Sequence, residues 1–181
     1  AGISSFGAGG SNAHIILEEY ENNVLSQAPV HTGYPLLVVL SARLPAQLIE
    51  QAQNLLRYLD AQMSDNKDLV NLCYTLQVGR EAMEERAATT LSAGDGPWVL
   101  KEKLSALANG VGDSDVPGWI RGSVKKNKEL LSSFAGDDTF GETLEKWLLQ
   151  GKSHKLLEVW AKGLNVEWQR LYEGHTLPQR M

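Results

Sequence analysis

Hydrophobic positions along this chain change their spacing several times. In residues 13–19, Ile15 and Leu17 fall on one face of an alternating pattern, which predicts a strand. Residues 36–40, Leu-Leu-Val-Val-Leu, form a short continuous apolar run of the kind found in buried strands. Over residues 44–63 the period becomes helical: Leu44, Leu48, Ala52, Leu55, Leu59 and Met63 recur with Gln, Glu and Arg between them. Pro45 suits the first turn of that helix, where its missing N–H costs nothing. A second helix is predicted over 67–84, lined by Leu69, Leu72, Cys73 and Leu76, with Gly79 weakening its middle by about 1 kcal/mol relative to Ala. Residues 86–93 predict a strand that Gly94-Asp95-Gly96-Pro97 ends. Trp98, Leu100, Leu104, Leu107 and Ala108 predict a third helix, stopped by Asn109-Gly110. Residues 119–124 then predict another strand.

The order over 36–124 is strand, two helices, strand, helix, strand. It implies an α/β fold in which a small three-stranded sheet is packed by helices. Asn22, Asn23, Ser26, Pro29, Gly33 and Pro35 mark 21–35 as a connecting loop after an N-terminal segment, 1–20. Residues 125–141 are a polar connection, and 125–181 add short C-terminal helices. One carries Leu144, Trp147 and Leu148 and ends at Gly151; the other carries Leu156, Leu157 and Trp160 and ends at Gly163. Glycine is the usual residue for a left-handed helix cap. Leu164, Val166 and Trp168 alternate as a short extended stretch, and Leu171-Tyr172 closes the pattern.

Composition narrows the function classes. The chain has 181 residues, 43% of them hydrophobic, enough for a real core. A net charge of −5 argues against a nucleic-acid surface, and the one compact basic run, Lys125-Lys126-Asn127-Lys128, reads as solvated surface. The single cysteine, Cys73, rules out an internal disulfide and fits a reducing, cytoplasmic setting. No apolar run approaches the roughly 20 residues of a membrane span. The chain starts without Met and stops without a closing pattern, which leads us to expect a piece of a larger protein.

Candidate chemistry is sparse. A dinucleotide fingerprint starting at Gly7 would need its third glycine at Asn12, and a phosphate loop would need Lys then Ser or Thr where Ser11-Asn12 stand. The run Gly7-Ala8-Gly9-Gly10 therefore reads as a tight turn between extended segments, with a ligand loop as the alternative. No G-x-S-x-G elbow is present, and Cys73 reads as a buried core residue. His14, His31, His154 and His175 do not pair at zinc-site spacing, so no metal and no cofactor is expected. The carboxylates Glu18-Glu19 and Glu81, Glu84 and Glu85 read as solvated surface. Trp147, Trp160 and Trp168 sit near helix-packing positions; their ordinary role is core anchoring, and any left exposed is a candidate docking anchor.

The stretch Ser4-Ser5-Phe6-Gly7-Ala8-Gly9-Gly10-Ser11-Asn12-Ala13-His14, followed by Leu17-Glu18-Glu19, resembles the end of a polyketide synthase ketosynthase domain, with its S-S-F-G-x-G-G-[ST]-N-A-H…L-E-E pattern. Residues 72–83 resemble the region just after a ketosynthase, where family members usually have Ala at the Cys73 position. Trp160-Ala161-Lys162-Gly163 through Val166-Glu167-Trp168 and Leu171-Tyr172 resemble the linker that follows an acyltransferase in other modules. Modules with a built-in acyltransferase place it at about 125–141, where this chain has neither the room nor a G-H-S-x-G nucleophile.

The resemblance implies a trans-acyltransferase type of module. By that resemblance the chain is a non-catalytic ketosynthase-flanking domain that braces the module and docks a freestanding acyltransferase. Its other partners would be the ketosynthase body and the carrier protein. Phe6 matches the residue whose backbone N–H helps form the ketosynthase oxyanion hole and whose ring gates the active cysteine, with Gly7, Gly9 and Gly10 allowing close backbone approach. The nucleophilic cysteine and the two catalytic histidines of the family lie upstream, and His14 is not one of them. The alternatives are a purely structural spacer, or the C-terminal part of a ketosynthase that catalyses decarboxylative condensation in the full-length protein.

Overall fold

A computed structural model describes residues 1–19, 36–62, 66–92, 94–110, 116–127, 143–144, 146–147, 150–173 and 177–181. The connecting loop read at 21–35 and most of the polar connection at 125–141 lie outside the described residues.

Two antiparallel strands open the chain, β1 (Gly2–Phe6) and β2 (Asn12–Ile16), in the register Gly2↔Ile16 to Phe6↔Asn12. The glycine run is the turn between them. Gly7 donates to the Ser11 carbonyl at 2.9 Å, Gly10 donates to the Gly7 carbonyl at 3.1 Å, and Gly10 has φ +89°. A β-carbon at Gly7 would run into the Ser11 carbonyl, so that position needs glycine.

The main sheet has the order β3 (Leu36–Ala42), β4 (Glu85–Leu91), β5 (Ile120–Ser123), all antiparallel. Alternation sorts β3 between two cores. Val38, Leu40 and Ala42 face one core, with Ala87 and Leu91 of β4. Helices α1 (Pro45–Gln62), α2 (Asn66–Val78) and α3 (Pro97–Asn109) complete it through Leu48, Ala52, Leu59, Leu69, Leu72, Leu100, Leu104 and Leu107. Leu37, Val39 and Ala88 face the second core.

That second core is closed by the C-terminal segment. Helix α4 (Ser153–Ala161) contributes Leu157, Trp160 and Ala161, and a 3₁₀ turn (Trp168–Tyr172) contributes Trp168. The second core thus joins residues from before and after position 124, while the first is built from residues 36–119 alone.

Two local expectations change. The second helix stops at Val78, not 84: Gly79 donates to the Thr75 carbonyl at the helix end, and Arg80–Glu84 form an irregular bend into β4. Residues 164–168 are not a strand; the run ends in the 3₁₀ turn, which buries Trp168 and Tyr172 on one side. Leu44 stands exposed just before α1, where its carbonyl accepts from Gln47 and Leu48.

Candidate functional site: the clamp beneath the sheet and the glycine hairpin

The second sheet face is held by one buried cation. Arg86 of β4 lies opposite Ser41 and Gly122, on the side where α4 packs. Its guanidinium donates to three carbonyls: Met83 at 2.8 Å, Trp160 at 2.8 Å and Leu164 at 3.1 Å. It also lies 5.2 Å from the centre of the Trp160 ring. The Trp160 carbonyl belongs to the last turn of α4 and the Leu164 carbonyl lies just past it, at the helix end where the dipole favours a cation. Burial pulls the Arg86 pKa down from its ordinary value, and Glu84 nearby opposes that shift.

Glycines shape both ends of this contact. Gly163, at φ +115°, donates to Trp160 while Leu164 donates to Val159, the paired bonds of a Schellman cap. The glycine stop read at this position thus ends α4. Gly122 of β5 lies directly beneath the Ala161 carbonyl, and a β-carbon there would collide with it. Glycine inside a strand marks such close approaches.

A second fastening runs along α2. Gln77 donates to the Leu37 carbonyl at 2.7 Å, capping the free edge of β3, and accepts from the Tyr172 hydroxyl at 2.6 Å. Tyr172 meets Tyr74 edge-on at 4.8 Å, and burial pushes its phenol pKa up. Further along, the Gln179 and Met181 N–H groups donate to Asn71 Oδ1 and Thr75 Oγ1 at 2.8 and 2.9 Å. Asn71 and Thr75 are one helical turn apart, so α2 reads two alternate amides of an extended tail.

The tryptophans divide. Trp160 and Trp168 are 3% and 6% exposed and meet edge to face with ring centres 6.2 Å apart. Their burial removes them from the docking set and makes them core anchors. Trp147 is half-buried, with Lys155 Nζ 5.4 Å from its ring centre. The most exposed tryptophan is Trp98, 64% exposed at the start of α3. Sequence patterns missed Arg86, Gln77 and Gly122. Arg86 alternates in register with apolar strand positions, and that was the available signal.

The hairpin carries the other candidate residues. Phe6 is 81% exposed beside the turn of Gly7, Gly9 and Gly10. The structure brings no tryptophan candidate to the hairpin. Exposed apolar residues stand on both of its faces, Ile3 and Ile15 on one, Phe6 and Ile16 on the other. Ser4 Oγ and His14 Nδ1 lie 2.8 Å apart across the strands. Cys73 is fully buried in α2, and burial raises its thiol pKa to about 12. Among the described residues no cluster of three metal-ligating side chains occurs, and no helix is long and apolar enough to cross a membrane.

Residues 39–110 match the family model described as "RhiE-like, KS-MAT linker domain". The polyketide synthases PksL and PksN of Bacillus subtilis (strain 168) are 40% and 42% identical over 181 and 186 residues, each covering the whole chain. The chain spans only 4% and 3% of those proteins. A ketosynthase from module 6 of the bacillaene synthase of Bacillus subtilis 168 superposes with a TM-score of 0.70 at 31% identity. A ketosynthase from module 1 of the bacillaene synthase of Bacillus amyloliquefaciens FZB42 gives 0.67 at 37%. Each match covers 99% of this chain and 28% of the ketosynthase chain. The aligned lengths of 181 and 186 residues equal or barely exceed the chain's own 181, so neither PksL nor PksN has a domain inserted within this stretch.

Proposed function

Because the chain is a segment of a polyketide synthase that carries the RhiE-like KS-MAT linker domain, we propose that it is the non-catalytic flank of a ketosynthase in a trans-acyltransferase module, bracing that module and docking a freestanding acyltransferase. One observation carries the reading. The segment after residue 143 folds straight back onto the linker sheet, through Arg86, Trp160 and Gly122, with only 15 residues between Asn127 and Thr143. A transferase of a few hundred residues has no place in that interval. A linker surface without its own transferase is then available for one that arrives from outside. No cofactor is needed for such a role.

The docking half is tested by calorimetric titration of the ketosynthase-containing polypeptide with its cognate freestanding acyltransferase. Saturable binding that persists in this chain alone supports it. No heat and no co-purification with either form overturns it. A purely architectural spacer is the second reading, favoured by the burial of Trp160 and Trp168. It predicts that null result.

The hairpin has a separate role in this proposal. Apolar residues on both faces suit strands that are covered on both sides in the ketosynthase body. There the Phe6 loop serves as oxyanion and gating loop for a cysteine outside this chain. We expect Gly7→Ala in the ketosynthase-containing polypeptide to lower condensation about a hundredfold or more, the loss of one oxyanion donor, and to leave acyltransferase binding unchanged. Unchanged turnover would remove the loop from the reaction.

A further inference from the structure

The backbone bonds of the N-terminal hairpin set the direction of the Phe6 amide. In an antiparallel pair, rungs that exchange both backbone bonds alternate with open rungs that exchange neither, and an open rung turns its N–H and C=O outward. Ala1 and Leu17 form a bonded rung: the Ala1 amine donates to the Leu17 carbonyl, and the Leu17 N–H donates to the Ala1 carbonyl at 2.7 Å. At the turn, the Gly7 N–H donates to the Ser11 carbonyl at 2.9 Å. Both ends give the same phase. Ala1, Ile3, Ser5 and Gly7 therefore face β2, and Gly2, Ser4 and Phe6 stand on open rungs opposite Ile16, His14 and Asn12. The Phe6 N–H points out of the hairpin, as an oxyanion donor must.

An open rung is held by its side chains, which stand closest there, at Cα separations of about 4.5 Å. The open rung nearest Phe6, on the same face, is Ser4 opposite His14. Its two side chains supply a tie that the backbone does not: Ser4 Oγ and His14 Nδ1 lie 2.8 Å apart. The imidazole leans over Gly2, where a β-carbon would stand 3.5 Å from Cε1 and 3.8 Å from Nε2. The ring thus keeps to the side away from Phe6, and Nδ1 is the atom that meets Ser4. On this face the polar pair sits between Phe6 and Ile16, both exposed. Covering the face, as the proposed role of the hairpin requires, would place the tie in low-dielectric surroundings and strengthen it.

We infer that His14 is a positioning residue for condensation: through Ser4 it ties β1 to β2 on the open rung nearest Phe6 and so fixes the direction of the Phe6 N–H. Backbone bonds at Ser5 and Gly7 set the strand spacing. The side-chain tie adds a restraint on the Phe6 face, where local twist decides the aim of the amide. An oxyanion donor has to stand about 2.7–3.1 Å from the developing charge, so a small change of twist is felt in the rate. His14 touches no reacting atom in this role and acts through Ser4. The inference rests on the reading of the Phe6 loop as an oxyanion loop.

The test is steady-state condensation by the ketosynthase-containing polypeptide, with Gly7→Ala measured beside it. His14→Asn keeps a polar atom at the Nδ1 position, and His14→Gln moves it out to the Nε2 position. We expect His14→Gln and Ser4→Ala each to lower kcat about three- to tenfold with KM unchanged, the mark of an interaction realised in the transition state. His14→Asn should recover most of that loss. The double variant of Ser4→Ala and His14→Gln should be no slower than either single one, since both remove the same bond. Equal rates for His14→Asn and His14→Gln, additive losses in the double variant, or a raised KM with kcat unchanged would each overturn the inference. If Gly7→Ala slows condensation and His14→Gln does not, the inference falls and the oxyanion reading stands. Unchanged turnover in Gly7→Ala removes both.

Discussion

Arg86 shows how one buried charge organises this domain. Removing it takes the charged donor from the carbonyls of Met83, Trp160 and Leu164, leaving Trp160 the neutral Gly163 N–H. Hydrogen bonds to a charged donor, once lost in a buried place, cost about 3 kcal/mol together. We expect Arg86→Ala to lower the unfolding free energy by that amount, read as a lower urea midpoint at constant slope. Arg86→Lys should recover little, because an ammonium cannot reach three carbonyls as the planar fork does. Cys73 is the counterpart among neutral residues. Its thiol keeps its proton to about pH 12 in the fold, against an ordinary value of 9.0 when unfolded. Its contribution to stability is whole below pH 9 and falls as pH rises toward 12. Cys73→Ala should flatten that alkaline decline in pH-dependent unfolding, and wild-type Cys73 should resist thiol reagents until the chain is denatured. Tyr172, whose phenol is also shifted upward, keeps part of the decline in place.

At the scale of elements, α4 depends on a residue it does not contain. A methyl group at Gly122 pushes against the Ala161 carbonyl, a collision with backbone that no rotamer relieves. Overpacking of this kind costs about 1–3 kcal/mol. We expect Gly122→Ala to lower Tm and to speed amide exchange in α4 and the 3₁₀ turn before α1 or α3. Uniform exchange across all helices would mean that α4 docks independently of β5. Elements with a strong period were legible in the sequence: β3 from its continuous apolar run, α1 and α3 from their stripes, and the ends of α3 and α4 from Gly110 and Gly163. The end of α2 was not, because apolar spacing continues through Val78 and a glycine inside a helical pattern does not announce a stop. The 3₁₀ turn was missed because Leu164, Val166 and Trp168 alternate like a strand. The clamp was illegible for a different reason. Its contacts join residues 74 to 95 positions apart, and local patterns carry no such information.

For the whole molecule, the two cores share one sheet and depend on each other. Cutting the chain after Lys152 removes α4 and the 3₁₀ turn and bares Leu37, Val39 and Ala88. The truncated chain should bind hydrophobic dyes and aggregate, while the fluorescence of Trp119, buried in the first core, reports whether that core persists. The interval between Asn127 and Thr143 has the opposite standing. Both cores are assembled from elements that end before it or begin after it. Lengthening a loop from tens to hundreds of residues adds only about 2–3 kcal/mol of closure entropy. A foreign domain spliced between Asn127 and Thr143 should therefore leave the linker folded, with its melting point lowered by a few degrees. Splitting the chain there should yield two fragments that reassemble through Trp160 and Arg86. The clamp beneath the sheet thus makes the frame indifferent to how long the interval is, since what holds the two cores together lies on either side of it.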